Sequence, residues 1–166
     1  APFRRAKSDK RPNAIIRYDL PDGHVQVSSG AFGMASVFDY DLVLMAISNL
    51  TEAMNKYREG KGEKPGQIFR PNVGDIIKFC RKENGGNQRQ FIVGALERLS
   101  TTHVGIKRTT KANGTPETID EGENLIGPFK VVSVSGSKKI KYVEIKIADW
   151  MYEEITRGSK PDVLTV

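Results

Sequence analysis

Gln88 and Arg89 open the run NQRQFIVGALERLS, in which Phe91, Ile92, Ala95, Leu96 and Leu99 recur at helical spacing. Asn87 is the expected N-cap, and Gln90 stands three residues on, in capping-box register. This helix, over 87–100, places Gln88 and Arg89 in its first turn, facing outward with Glu97. A side-chain amide and a guanidinium there suit base edges in a DNA major groove, and a helix N-terminus attracts phosphate. A second basic set, Lys138, Lys139 and Lys141, follows Gly136-Ser137, read as a two-residue turn between strand-like runs. Lysines on a hairpin tip reach the phosphate backbone as point charges. Arg81 and Lys82, at the end of the preceding helix, complete the candidate DNA contacts. The plainer readings are an ordinary αα-corner and lysines that serve solubility.

Other chemistry is sparse. Cys80 falls on the apolar face of its helix, a core position, and as the only cysteine it forms no internal disulfide. With His24 and His103 far apart, it makes no convincing zinc set. Gly60, Gly62 and Gly66 lie in a basic loop without the Gly-Lys-Ser/Thr ending of a phosphate loop. Glu117, Asp120, Glu121 and Glu123 lack EF-hand spacing and read as a solvated acidic loop. Trp150 and Tyr152 read as core anchors. No catalytic set emerges, so the expectation is a protein that is not an enzyme and takes neither metal nor cofactor.

The elements that must carry the basic residues follow from pattern. Ala14–Leu20 and His24–Ser28 flank Pro21-Asp22-Gly23 and predict a small N-terminal hairpin. Asp39 is the expected N-cap of a largely buried helix through Leu42, Met45, Ala46, Leu50, Ala53 and Met54, fading near Tyr57. Gln67–Phe69 suggests a short strand. Asn72 caps a helix over 73–83, with Asp75 at its third position and Ile76, Ile77, Phe79 and Cys80 on its apolar face. Asn84-Gly85-Gly86 ends it. After the helix over 87–100 come a strand over 102–109, a polar loop over 111–123 and a hairpin over 125–147. Asp149 is the expected cap of a last helix, stopped by Gly158, and Val163–Val166 starts another strand. Two helices, then strands with a hairpin, is the layout of a winged helix. The fold class expected is α+β: a helix-turn-helix followed by a β-hairpin wing, with an additional N-terminal β-hairpin.

Charge is partitioned along the 166 residues. The formal net charge is +6, yet residues 1–17 alone carry +5. Residues 1–14 read as a flexible basic arm. Within the remainder, 78–111 carries +6 and 130–146 carries +4, while 112–129 holds four acids and no base. The two positive blocks coincide with the helix pair and the hairpin. No apolar run approaches the ~18 residues needed to span a membrane, and the N-terminal segment lacks the apolar core of a secretory signal. A membrane partner is therefore not expected, and a reducing cytoplasmic setting is.

Three stretches, FDYDLVLMAISNL (Phe38–Leu50), GNQRQFIVGALERLSTTHVGIK (Gly86–Lys107) and IKIADWMYEEI (Ile145–Ile155), followed by DVLTV (Asp162–Val166), resemble in this order the plasmid-type replication initiators of proteobacteria, the replication initiator protein A family. The resemblance runs from about Arg17 to Val166. It implies a two-winged-helix initiator that binds double-stranded DNA repeats at a plasmid origin. Residues 15–166 would be its first winged-helix domain, a homodimerising unit with backbone contacts, and the second domain would be absent. It also implies a bacterial cytoplasmic location and host replication proteins as further partners. Two alternatives stay open on the residues alone: a stand-alone winged-helix transcription regulator, and a protein-docking winged helix without DNA contact.

Overall fold

The computed structural model describes residues 15–80, 87–137 and 139–157. The arm at 1–14, the Asn84-Gly85-Gly86 break, Gly158 and the strand expected at 163–166 lie outside them. The elements in chain order are β1 (Ile15–Leu20), β2 (Gly23–Ser28), α1 (Val37–Arg58), β3 (Ile68–Phe69), α2 (Val73–Phe79), α3 (Gln88–Thr101), β4 (His103–Ala112), β5 (Thr115–Asn124), β6 (Ile126–Ser133), β7 (Ile140–Ile147) and α4 (Asp149–Thr156). The strands form two antiparallel sheets, ordered β1-β2-β4-β5 and β3-β7-β6. The fold is α+β.

One core joins the four helices to the inner face of the second sheet. Leu42, Val43, Ala46, Ile47, Leu50 and Met54 of α1 meet Ile76 and Ile77 of α2 and Ile92, Ala95, Leu96 and Leu99 of α3. Val143, Ile145 and Ile147 of β7 and Met151 and Ile155 of α4 close it. Each large apolar side chain buried this way contributes about 1.5–3 kcal/mol. An exposed pair such as Lys56–Glu52 contributes a few tenths to about 1 kcal/mol. The placement of α3 is therefore decided by burial and not by surface charge.

The N-terminal hairpin forms as expected, with Leu20 pairing to Gly23, and β4 extends it, Gly23 pairing to Arg108. The caps Asn72 and Asn87 are also as read: the Asn72 side chain accepts from Gly74 N and the Asn87 side chain from Gln90 N.

Several expectations are corrected. The polar loop read over 111–123 is the end of β4, a tight turn and nearly all of β5, which pairs along its length with β4. The strand is exposed on nearly every residue, so it shows no apolar alternation. Its signal is the Asn113-Gly114 turn, where both residues have positive φ. The N-cap of α1 is Ser36, whose hydroxyl accepts from Asp39 N; Asp39 sits at the third helical position and accepts from Ser36 N. Asp149 does not cap α4, because it is already the first helical residue and the cap position is Ala148. Phe79, read as core, is exposed at the end of α2, and Trp150, read as an anchor, is partly exposed while Met151 and Ile155 fill the core. The helix expected over 73–83 is described as Val73–Phe79, with Cys80 as its buried C-cap. Thr102, expected to begin a strand, caps α3 instead, its hydroxyl donating to Arg98 O.

Candidate nucleic-acid interface

The first turn of α3 and the β6–β7 hairpin are brought side by side. Helix α3 packs on β6, and α2 on β7. Arg89 is exposed on the first turn of α3, and its Nε donates to Ser133 Oγ at 3.1 Å. Ser133 ends β6, so this bond spans helix and hairpin at the hairpin's outer end. It leaves the terminal guanidinium nitrogens of Arg89 free of hydrogen bonds within the described structure.

Gln88, expected to face outward, is half-buried and already makes an interaction of its own. It occupies the first helical position, where the side chain leans back over the N-terminal turn. Arg89 is thus the more available of the two residues. Glu97, also expected to face out, is half-buried too.

The hairpin connection is longer than the two-residue turn expected at Gly136-Ser137. Strand β6 stops at Ser133 and β7 starts at Ile140. Val134 N donates to Lys139 O at 2.8 Å, and Ser137 N to Val134 O at 3.1 Å, so the tight turn is centred on Ser135-Gly136. Lys139 N donates to the Ser137 hydroxyl. The side chains of Lys139 and Lys141 are both exposed and make no ion pair among the described residues. Arg81, Lys82 and Lys138 lie outside the described residues.

Two further basic residues, not singled out by the sequence, lie on the face of the small sheet opposite the core. Lys130 of β6 is exposed opposite Glu144 of β7, on the outer face of the small sheet. Arg70, just after β3, pairs with Glu144 at 3.1 Å on the same face. Their spacing along the chain carries no signal, since β3 joins β7 across more than seventy residues.

The orientation of α3 is held from behind by a buried ion pair. Arg98 reaches α1 and donates to both oxygens of Asp39. The hydrogen bonds it donates to Asp39 hold the pKa of the Arg98 guanidinium above its ordinary value, although burial pulls it down. Gly94, one turn earlier, leaves the room that the guanidinium occupies.

The first sheet also meets α4 through a carboxylate. Glu123 of β5 accepts from Asp149 N at 2.7 Å through one oxygen and from Trp150 N at 3.1 Å through the other. These are helix N–H groups that α4 itself leaves unpaired. No group of three metal-ligating side chains occurs among the described residues. None of their helices is long and apolar enough to cross a membrane.

The family model described as replication initiator protein A matches residues 1–166. No curated protein matches the sequence. Two crystal structures of domains 2 and 3 of RctB share the fold. One, of selenomethionine derivatives, aligns with TM-score 0.60 at 13% identity over 93% of this chain. The other, spanning RctB residues 155–483, aligns with TM-score 0.57 at 14% identity over 92%. The chain spans 56% of the length of each RctB chain.

Proposed function

The chain belongs to the replication initiator protein A family, and from that premise we propose that residues 15–166 are a winged-helix domain that binds double-stranded DNA at a plasmid replication origin. It is the first of two such domains in the whole initiator, acts as a homodimer in the bacterial cytoplasm and works with host replication proteins. It has no catalytic role.

The element order supports the winged-helix reading. Helix α1, strand β3, the α2–α3 pair and the β6–β7 hairpin follow one another, and β3 completes the small sheet on β7. The β1-β2-β4-β5 sheet is then an insertion and extension around that unit. In such a unit the second helix of the pair enters the major groove and the hairpin follows the backbone.

The observation that carries the DNA reading is the Arg89–Ser133 bond. It draws the first turn of α3 and the hairpin end into one basic surface, with Lys139 and Lys141 exposed beside it. Arg89 is the residue for base contact and the lysines are for phosphate.

The test is a salt-titrated binding assay with duplex origin repeats and a scrambled duplex, using the wild type and Arg89→Ala. Binding that weakens steeply with salt, with a preference for repeats lost in Arg89→Ala, is the expected result. A repeat preference unchanged by Arg89→Ala would remove α3 from the groove. No shift with any duplex at low salt would favour the protein-docking alternative.

A further inference from the structure

The first sheet and α4 do not close on each other. Val104 and Ile106 of β4, Glu121 of β5, and Trp150 and Glu153 of α4 line an open groove of about 660 Å³ between them. Its floor is apolar, and the indole of Trp150 remains 36% exposed. Strand pairing puts Val25, Ile106 and Glu121 in one row across the sheet, so the half-buried face of β2 continues the floor.

The rim is acidic. Glu123 is committed to the N-terminus of α4, and Glu154 pairs with Arg157 at 3.1 Å. The side chains of Glu121 and Glu153 have no partner among the described residues. An apolar floor, an exposed indole and two uncompensated carboxylates suit a segment that carries several positive charges beside an apolar side chain.

The chain supplies one such segment. Residues 1–14 hold Arg4, Arg5, Lys7, Lys10 and Arg11 against Asp9 alone, with Phe3 among them. Residues 158–166 carry one base and one acid, and so lack the complementary charge. We infer that residues 1–14 dock in this groove in cis, their basic side chains against Glu121 and Glu153 and their apolar or guanidinium groups on Trp150.

Geometry permits it. Ile15 pairs with Ser28, Ser28 with His103 and His103 with Asn124, which adjoins Glu123. The root of the segment is therefore three strand spacings, about 14 Å, from the end of the groove. Fourteen residues span up to about 45 Å. Tethering places the segment at roughly millimolar effective concentration, so contacts that are individually weak suffice.

Trp150 is the only tryptophan, so its fluorescence reads the groove directly. The experiment is acrylamide quenching of the full chain, the variant with Arg4, Arg5, Lys7, Lys10 and Arg11 all changed to Ser, and the double variant Glu121→Gln, Glu153→Gln. Circular dichroism verifies that each is folded. At low salt the quenching constant should rise about twofold in both variants, and wild type should reach the same value as salt screens the contact. Quenching equal in wild type and the Ser variant would overturn the inference. Protection that grows with protein concentration would overturn it by assigning the groove to a second copy. Protection insensitive to salt but lost on Val163→Ser with Leu164→Ser would overturn it by assigning the groove to residues 158–166.

Discussion

Asp39 and Arg98 form a two-pronged ion pair between α1 and α3, Nε to Oδ2 at 2.6 Å and Nη2 to Oδ1 at 2.9 Å. The carboxylate is 1% exposed and the guanidinium 16%. Asp39 also accepts from Ser36 N, so one side chain completes the start of α1 and anchors the helix that presents Arg89.

Asp39→Asn leaves a mostly buried guanidinium facing a neutral amide. Removing one partner of a buried pair costs about 3–5 kcal/mol, and the residual exposure of Arg98 points to the lower end, about 3 kcal/mol. Urea unfolding at neutral pH measures it. Adding Arg98→Met should return part of the loss, because the stranded charge is gone. Arg98 is held above its ordinary value. Its share of the stability is therefore present at every pH below the usual arginine range and is lost only as pH rises beyond it. No dependence on Arg98 is expected near neutrality.

Glu123→Ala removes both acceptors from the N-terminus of α4, whose own cap position, Ala148, offers none. The expected cost is about 1–2 kcal/mol. Hydrogen exchange locates it: the Asp149 and Trp150 amides should lose protection, while those of α3 keep theirs.

Gly23→Ala should break the register between β2 and β4. A Cβ at this position would overlap the Lys107 carbonyl oxygen, which is backbone and cannot swing away. Overpacking of this kind costs about 1–3 kcal/mol. A lowered thermal midpoint with selective loss of amide protection in β1 and β2 is the expected result. An unchanged midpoint would show that the sheet tolerates the shift.

Lys139→Ala with Lys141→Ala should weaken DNA binding by a similar factor on every duplex. It should reduce the salt slope by roughly 2, because each lysine neutralises one phosphate. Equilibrium binding at several salt concentrations measures both quantities. A slope equal to the wild type would show that the hairpin does not touch the backbone.

Much of this architecture is legible without coordinates. Asn72 and Asn87 cap as read because a short polar side chain before an apolar 3.6-residue period is a local signal, satisfied by backbone one turn away. The helical face of Ile92, Ala95, Leu96 and Leu99, the N-terminal hairpin and the hairpin over 125–147 are local in the same sense. Strand β5 was not legible from alternation because it lies at the sheet edge and buries almost nothing. In the candidate interface, the outward position of Arg89 follows from helical spacing, but its bond to Ser133, forty-four residues on, does not.

The sequence by itself therefore determined the elements whose stabilising contacts lie within a turn or a tight hairpin, together with the partition of charge among them. Tertiary structure decided what each polar side chain is for. Asp39 and Ser36 are both good caps by type, and it is Arg98, arriving from α3, that makes Asp39 a buried acceptor. Glu123 reads as one acid among four in a polar stretch, and only the approach of α4 turns it into a helix cap. The reason is physical: the energy of a carboxylate is set by donors within about 3 Å, and for these residues the donors come from elements that only the fold brings near.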